Sequence, residues 1–187
     1  IAPHAAANLL ETYLRAEPGL LEEMVRRHPK LRETYRFFID TWCGREYYPL
    51  SGDCGSFAAK HTTYAGLPFR RGEPGGAHDT DPPVSMYTFL WRFWKATADP
   101  VYLQLLRFVN GNSTEGLPYD LFAENPEQLI RDVETVGGEL PRAGSVNKQE
   151  WRLAILRSPR NPDAGAVWLD YDSIPNSKIK NHYHYDA

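Results

Sequence analysis

The sequence predicts an α+β protein in which the helices come first and the strands come last. Through the first two thirds of the chain, apolar residues recur at the three- and four-residue spacing of amphipathic helices. After Gly137-Gly138, apolar and polar residues alternate, as in a strand with one buried face. These two patterns predict a helical domain over residues 1–138 and a strand-containing domain over residues 139–187.

The helical part is predicted as short helices separated by proline and glycine. A stripe from Tyr87 to Trp94 indicates one helix, and two more begin at Asp99-Pro100 and Asn125-Pro126, where an Asp or Asn side chain can cap the helix and proline suits its first position. Three earlier stripes indicate three further helices: Leu9-Leu10-Tyr13-Leu14, Leu20-Leu21-Met24-Val25, and Leu31-Tyr35-Phe38-Ile39-Trp42.

The strand-containing part begins with a predicted β-hairpin. Trp151, Leu153 and Ile155 alternate with polar or small residues, and a turn at residues 161–165 leads into a second strand at residues 166–171. The chain ends in Asn-His-Tyr-His-Tyr-Asp-Ala. On a third strand, His182, His184 and the following Asp would share one face, because strand side chains alternate. Such a row suits metal binding or proton transfer; a frayed terminus or a buried structural strand is the alternative interpretation.

Composition restricts the class of protein. The 187 residues are 42% hydrophobic and 13% aromatic, which is enough for a buried core. The formal net charge of −3 argues against a general nucleic-acid binder, so an anionic partner would need a local basic patch. No apolar run approaches the roughly 20 residues needed to span a bilayer, and we expect no membrane partner. Because the chain starts at Ile1 and stops just after the His row, we interpret it as part of a longer polypeptide.

The stretch from Arg45 to Pro83 is predicted as a long loop region that carries candidate binding residues. Asp53 follows Gly52 in a turn, where a carboxylate either caps a helix or lines a cleft. Arg70 and Arg71 could bind a carboxylate or sulfate through their guanidinium groups, or lie in an ordinary solvated loop. The two cysteines, Cys43 and Cys54, fit either one disulfide or two buried thiols.

Four segments together resemble the heparinase II/III-like polysaccharide lyases. They are the Thr97-Ala98-Asp99-Pro100 helix start, the Pro49-Leu50-Ser51-Gly52-Asp53 loop, the apolar strand at residues 151–157 and the His-x-His-x-Asp row. The resemblance implies an incomplete (α/α) toroid of helices followed by the first strands of an antiparallel β-sandwich. It also implies a periplasmic or extracellular enzyme that cleaves an acidic, uronate-containing polysaccharide by β-elimination.

The resemblance implies specific roles at the end of the chain. His182 falls on the position of an active-site histidine from the β-domain, and His184 on a position that binds a structural zinc in some members. Asp53, Arg70 and Arg71 are the candidate substrate-binding residues on the separate ground of their side-chain chemistry. The family's catalytic Tyr and its carboxylate-neutralising Asn or His lie upstream of the Gly-Asp loop and have no clear match here.

Several aromatic and histidine residues have less specific interpretations. Tyr35, Tyr47 and Tyr48 are available tyrosines, although a helical spacing is more typical of core residues. Trp91 and Trp94 could stack on sugars, yet they share one helix face and the pattern favours core. The remaining histidines, at positions 4, 28, 61 and 78, are predicted at the surface or at helix caps.

Two other functional classes are consistent with the same residues. Because the family's catalytic Tyr and Asn have no clear match here, the first alternative is a non-catalytic carbohydrate-binding or structural protein on the same scaffold. A glycoside hydrolase on a helical-hairpin fold is the second alternative, but that chemistry needs two carboxylates roughly 5 to 10 Å apart. The sequence shows no loop pair that clearly supplies them.

Overall fold

A computed structural model describes residues 2–49, 60–67, 86–117, 125–137, 139–161 and 165–171. Helices occupy the N-terminal part of these ranges and a small antiparallel sheet occupies the last part, which confirms the α+β class. The elements are α1 (Ala2–Leu14), α2 (Leu20–Arg27), a 3-10 turn (Pro29–Glu33), α3 (Phe37–Asp40), α4 (Met86–Thr97), α5 (Val101–Val109), α6 (Pro126–Glu134), β1 (Val146–Lys148), a 3-10 turn (Gln149–Trp151), β2 (Leu153–Arg157) and β3 (Ala166–Asp170).

The chain divides into two compact units. The helical unit contains Ile1–Phe37 and Ala65–Pro141, and the sheet unit contains Phe38–Tyr64 and Arg142–Ala187. Residues 38–64 therefore group with the strands, although they precede α4 in sequence. The two units are groups of residues that contact one another in space. The domain boundary predicted at residue 138 stays a prediction. In the described part of the chain, no helix combines the length and hydropathy needed to cross a bilayer.

Helix α4 forms the centre of the helical unit. Its Phe89, Leu90 and Phe93 are fully buried, and its neighbours include α2 and α5. The ring of Tyr35 packs edge-on against Phe89 and Phe93, with centroids 5.1 and 5.0 Å apart. Tyr102 packs in the same way on Phe93 at 5.1 Å. Edge-to-face packing of this kind adds to the apolar burial that stabilises the unit.

The two predicted helix caps are present. The Asn125 side-chain oxygen accepts from the backbone N–H of Gln128 at 3.1 Å, and α6 begins at Pro126. One carboxylate oxygen of Asp99 accepts from the N–H of Val101 at 3.1 Å, while the other lies 2.6 Å from the Arg36 guanidinium. Helix α5 starts at Val101, one residue later than Pro100, which is within the usual uncertainty of helix boundaries.

The first predicted stripe is only half correct. Leu10 and Leu14 are buried, but Leu9 and Tyr13 are 59% and 56% exposed. The buried face of α1 instead includes Glu11, whose carboxylate lies 2.8 Å from an Nη of Arg92. A buried carboxylate is tolerated when such a cation pairs with it, so the pattern of apolar residues alone could not identify Glu11 as part of the buried face.

The single helix predicted from Leu31 to Trp42 is wrong. The chain forms a 3-10 turn over Pro29–Glu33 and then the short α3 over Phe37–Asp40. Between them, the Tyr35 hydroxyl donates to the carbonyl of Pro3 at 2.9 Å and its ring lies in the aromatic cluster on α4. Tertiary contacts of this one side chain favour a turn where local periodicity favours a helix.

The sheet has the order β1-β2-β3, with both pairs antiparallel. The predicted hairpin is confirmed as β2–β3, in which Ile155 lies opposite Trp168, whereas β1 was not predicted. Trp151 was assigned to the strand incorrectly: it lies in a 3-10 turn and is 68% exposed. Arg152, at a left-handed φ of 50°, then redirects the chain into β2.

Strand β2 has one buried and one more exposed face. Ile155 is fully buried, while its neighbour Leu156 is 65% exposed and lies opposite Val167, which is also exposed. Cross-strand partners share a face, so these two residues belong to an apolar outer surface of the β2–β3 hairpin.

We expect Ile155→Ala to lower the unfolding free energy by about 2 to 5 kcal/mol, because it leaves a cavity in the buried face. The matched variant Leu156→Ala, one residue away, should change it by no more than about 0.5 kcal/mol. The measurement is urea unfolding of both variants. Equal destabilisation by the two variants would show that the register is different.

Candidate functional site

The five residues proposed from the sequence as catalytic, substrate-binding or metal-binding lie outside the described residues. This holds for His182, His184, Asp53, Arg70 and Arg71. Their roles therefore stay predictions. Among the residues that the structure does describe, no group of three or more His, Cys, Asp or Glu side chains is arranged to hold a metal ion. The structural zinc predicted at His184 also stays a prediction.

Two of the three candidate tyrosines, Tyr47 and Tyr48, follow a tight turn in the sheet unit and are more exposed than Tyr35. The backbones of Cys43 and Tyr47 pair across it, with N–H to carbonyl distances of 2.8 and 3.1 Å in the two directions. Gly44 and Arg45 both adopt a left-handed φ of 57°, and glycine reaches that conformation without steric cost. The turn leaves Tyr47 and Tyr48 half-buried just before the Pro49 loop.

Ring contacts of Tyr48 stabilise the turn. The ring of Tyr48 stacks on Trp42 with centroids 5.9 Å apart and planes 6° from parallel. The imidazole of His61 packs on Tyr48 in an edge-to-face arrangement, with ring centroids 6.1 Å apart. Two backbone groups hold His61 there: its N–H donates to the Glu46 carbonyl at 2.6 Å, and its carbonyl accepts from the Trp42 indole at 2.8 Å.

A cation lies beside this turn. The Lys60 ammonium is 3.1 Å from the Glu46 carboxylate and 5.8 Å from the centre of the Tyr47 ring. The hydrogen bond to Glu46 raises the pKa of Lys60, so this lysine stays protonated at neutral pH. We call Tyr47, Tyr48, Lys60 and His61 the tyrosine surface. It combines phenol, ammonium and imidazole groups within one small region of the sheet unit.

Tyr35 and Trp91, two of the other candidate aromatic residues, lie in the core. Tyr35 is fully buried, and burial raises its pKa well above the usual range, so its proton is held at all ordinary pH values. Trp91 is 5% exposed and its indole N–H donates to the Asp132 carboxylate at 2.7 Å, which fits the core interpretation. His28 and His61 are exposed, as predicted for surface histidines.

Sequence reasoning missed a buried charge cluster in the sheet unit. Arg157 is 7% exposed, and its guanidinium donates to the carbonyls of Asp40, at 2.7 Å, and Gly144. The carboxylate of Asp40 in turn lies 2.7 Å from the Lys148 ammonium. The alternation of β2 could have revealed Arg157, because residue 157 shares the buried face of residues 153 and 155. Nothing local identifies Asp40 as its partner.

Cys43 is a free, buried thiol next to this cluster. Its Sγ lies 3.9 Å from an Nη of Arg157. Burial raises the pKa of Cys43, and the positive charge of Arg157 opposes part of that increase. The thiol form therefore predominates at neutral pH, and the thiolate, which is the nucleophilic form, is depleted.

We expect Cys43 in a Cys54→Ser variant to react with iodoacetamide at pH 8 at least about tenfold more slowly in the folded protein than in urea. The thiolate is the reactive form, and a raised pKa together with burial depletes it. The rate should increase as the pH rises above 8. Mass spectrometry measures the alkylated fraction, and equal rates in the folded and unfolded protein would contradict the buried position.

No protein-family model, curated protein or solved structure matches this chain. The resemblance to the heparinase II/III-like lyases therefore depends on the sequence motifs alone.

Proposed function

We propose that the protein is a polysaccharide lyase that cleaves an acidic, uronate-containing glycan by β-elimination. The observation that carries the proposal is the tyrosine surface, in which the half-buried phenol of Tyr47 lies beside the Lys60 ammonium. The resemblance stated from the sequence supports the same chemistry.

The reaction has three requirements. A base removes the proton on the carbon next to the uronate carboxylate, an acid protonates the oxygen that leaves from the β-carbon, and a positive or hydrogen-bonding group stabilises the enolate. The carbon–oxygen bond breaks as the new carbon–carbon double bond forms. The product therefore carries an unsaturated uronate at its new end.

The tyrosine surface contains a group for each requirement. We assign proton transfer to Tyr47, whose hydroxyl is attached to a half-buried ring, and charge stabilisation to Lys60, which stays protonated. The exposed imidazole of His61 is assigned a second proton transfer. Glu46 favours the charged form of Lys60. Lys60 is therefore suited to stabilising the negative charge of the enolate and is a poor base.

The resemblance supplies the finer parts of the proposal. We infer that the helices belong to an incomplete (α/α) toroid and that β1-β2-β3 begin an antiparallel β-sandwich. His182 is proposed as a catalytic histidine, His184 as a ligand of a structural zinc, and Asp53 with Arg70 and Arg71 as substrate-binding residues. A periplasmic or extracellular location fits an enzyme that acts on polysaccharides.

We expect Tyr47→Phe to lower lyase turnover by about 10² to 10⁴, because the change removes only the hydroxyl that transfers the proton. The assay follows the absorbance of the unsaturated product on a panel of uronate polymers, with the full-length protein. Thermal unfolding should be unchanged, since the aromatic ring remains.

Tyr13→Phe is the matched control, because Tyr13 is 56% exposed on α1 and lies outside the tyrosine surface. Its turnover should equal that of the unmodified protein. Full activity of Tyr47→Phe would remove Tyr47 from the mechanism. Cleavage that yields saturated products would favour a hydrolase, and binding without cleavage would favour a non-catalytic carbohydrate-binding protein; either result overturns the lyase proposal.

Substitutions in the terminal row should separate two roles. We expect His182→Ala to lower turnover by about 10² to 10⁴ with folding intact, as for a positioned acid–base group. His184→Ala should first lose bound zinc and thermal stability, with activity falling as a consequence. Turnover, metal analysis and thermal scans of both variants give the comparison. Near-full turnover of His182→Ala would return this histidine to a structural role.

A further inference from the structure

The helical unit contains a pocket of about 410 Å³ that the proposed reaction does not use. This volume lies within the range of small-molecule sites, roughly 300 to 1,000 Å³. The end of α1, the turn into α2, the outer side of α4 and the residue before α6 form its walls. Its polar and aromatic lining residues are Arg15, Glu22, Trp91, Arg92, Lys95 and Asn125.

The pocket concentrates positive charge in an acidic protein. Three of its side chains are cationic and one is acidic, whereas the whole chain has a formal net charge of −3. The charge of Arg92 is balanced by Glu11, which binds one Nη at 2.8 Å, so the net positive charge comes from Arg15 and Lys95 against Glu22. A guanidinium carries five N–H donors, so this contact occupies only part of its hydrogen-bonding capacity. The local charge favours an anion.

Neighbouring residues hold the pocket groups in place. Glu11 fixes Arg92, and Asp132 fixes the Trp91 indole at 2.7 Å. The Lys95 ammonium lies 3.3 Å from the centre of the Trp91 ring, a cation–π contact that orients it. A site whose side chains are already ordered loses less conformational entropy when a ligand binds.

The mixture of groups identifies the class of ligand. Guanidinium and ammonium groups bind a planar carboxylate, while Glu22 disfavours ligands with several negative charges. The Glu22 carboxylate and the Asn125 amide can hydrogen-bond hydroxyl groups. The apolar wall from Leu14 and Leu21 suits the C–H face of a ring. A compact ring with one carboxylate and several hydroxyl groups has all three features.

We propose that this pocket binds the carboxylate-bearing ring of a sugar acid, such as one uronate residue of a glycan. The proposal rests on the proposed function for the class of ligand and adds a binding site in the helical unit, outside the tyrosine surface. It predicts binding of an isolated uronate even without cleavage.

The experiment is a calorimetric titration of the full-length protein with glucuronate, with glucose and inorganic phosphate in parallel. We expect glucuronate to bind more tightly than either, and its affinity to fall as ionic strength rises because surface charges are screened. Glucose binding as tightly as glucuronate would overturn the role of the cations. Phosphate binding as tightly would indicate a general anion site and overturn the sugar assignment.

Variants at Lys95 locate the site. Lys95→Gln should weaken glucuronate binding by about tenfold or more, the usual effect of losing one hydrogen bond to a charged group. Lys95→Arg keeps the charge and should retain most of the affinity. Arg131→Gln makes the same charge change at a position on α6 whose side chain is 53% exposed, and should have no effect. Arg92 is not a suitable test position, because its loss would leave Glu11 buried without this cation.

The outcomes separate this proposal from the lyase proposal. Normal cleavage by the unmodified protein, together with unchanged glucuronate affinity in Lys95→Gln, would overturn the pocket assignment alone. Glucuronate binding that depends on Lys95, in a protein that cleaves no uronate polymer, would support the pocket and overturn the lyase proposal.

Discussion

The sheet unit depends on the burial of one guanidinium. Arg157, at the end of β2, donates to the backbone carbonyls of Asp40 and Gly144, and its own N–H donates to the Ser145 hydroxyl at 2.9 Å. An ion removed from water is tolerated only when its donors are satisfied, so these carbonyls must remain at the strand end. That constraint attaches residues 40–43 to the sheet. The turn that presents Tyr47 begins at Cys43 and is therefore positioned by the same charge.

The helical unit is organised differently, by aromatic packing around α4. Tyr35, Phe89, Phe93 and Tyr102 form a continuous set of edge-to-face contacts, and the two tyrosine hydroxyls donate to the carbonyls of Pro3 and Arg32. These bonds satisfy the only polar atoms that the tyrosine side chains bring into the core. Trp91 lies on the other side of α4 from Phe89 and Phe93 and lines the pocket. The packing of this helix in the core therefore also orders the pocket.

Both proposed sites address one physical problem, the negative charge of a uronate. In the proposed reaction, the cation beside a phenol at the tyrosine surface stabilises charge that develops during proton transfer, which is an effect on the transition state. In the proposed binding site, the ordered cations of the pocket stabilise a carboxylate that is already charged, which is an effect on binding. A protein with an overall negative charge can recognise an acidic ligand only through such local arrangements.

Sequence patterns were enough to predict the features that depend on near neighbours: the α+β order, the caps at Asp99 and Asn125, and the β2–β3 hairpin. Each is set by a backbone preference or by a side chain that bonds two or three residues away. Sequence reasoning is also the sole basis for the roles of His182 and His184. The break near Tyr35, the burial of Glu11 and the union of Asp40 with Arg157 could be known only from the tertiary structure. They depend on partners 32, 81 and 117 residues distant, whose contacts override local periodicity because buried polar and charged groups must be satisfied wherever the partner lies in the chain. Strand β1 pairs with β2 residues only 5 to 9 positions away, but its three residues are too few to show the alternation of a strand.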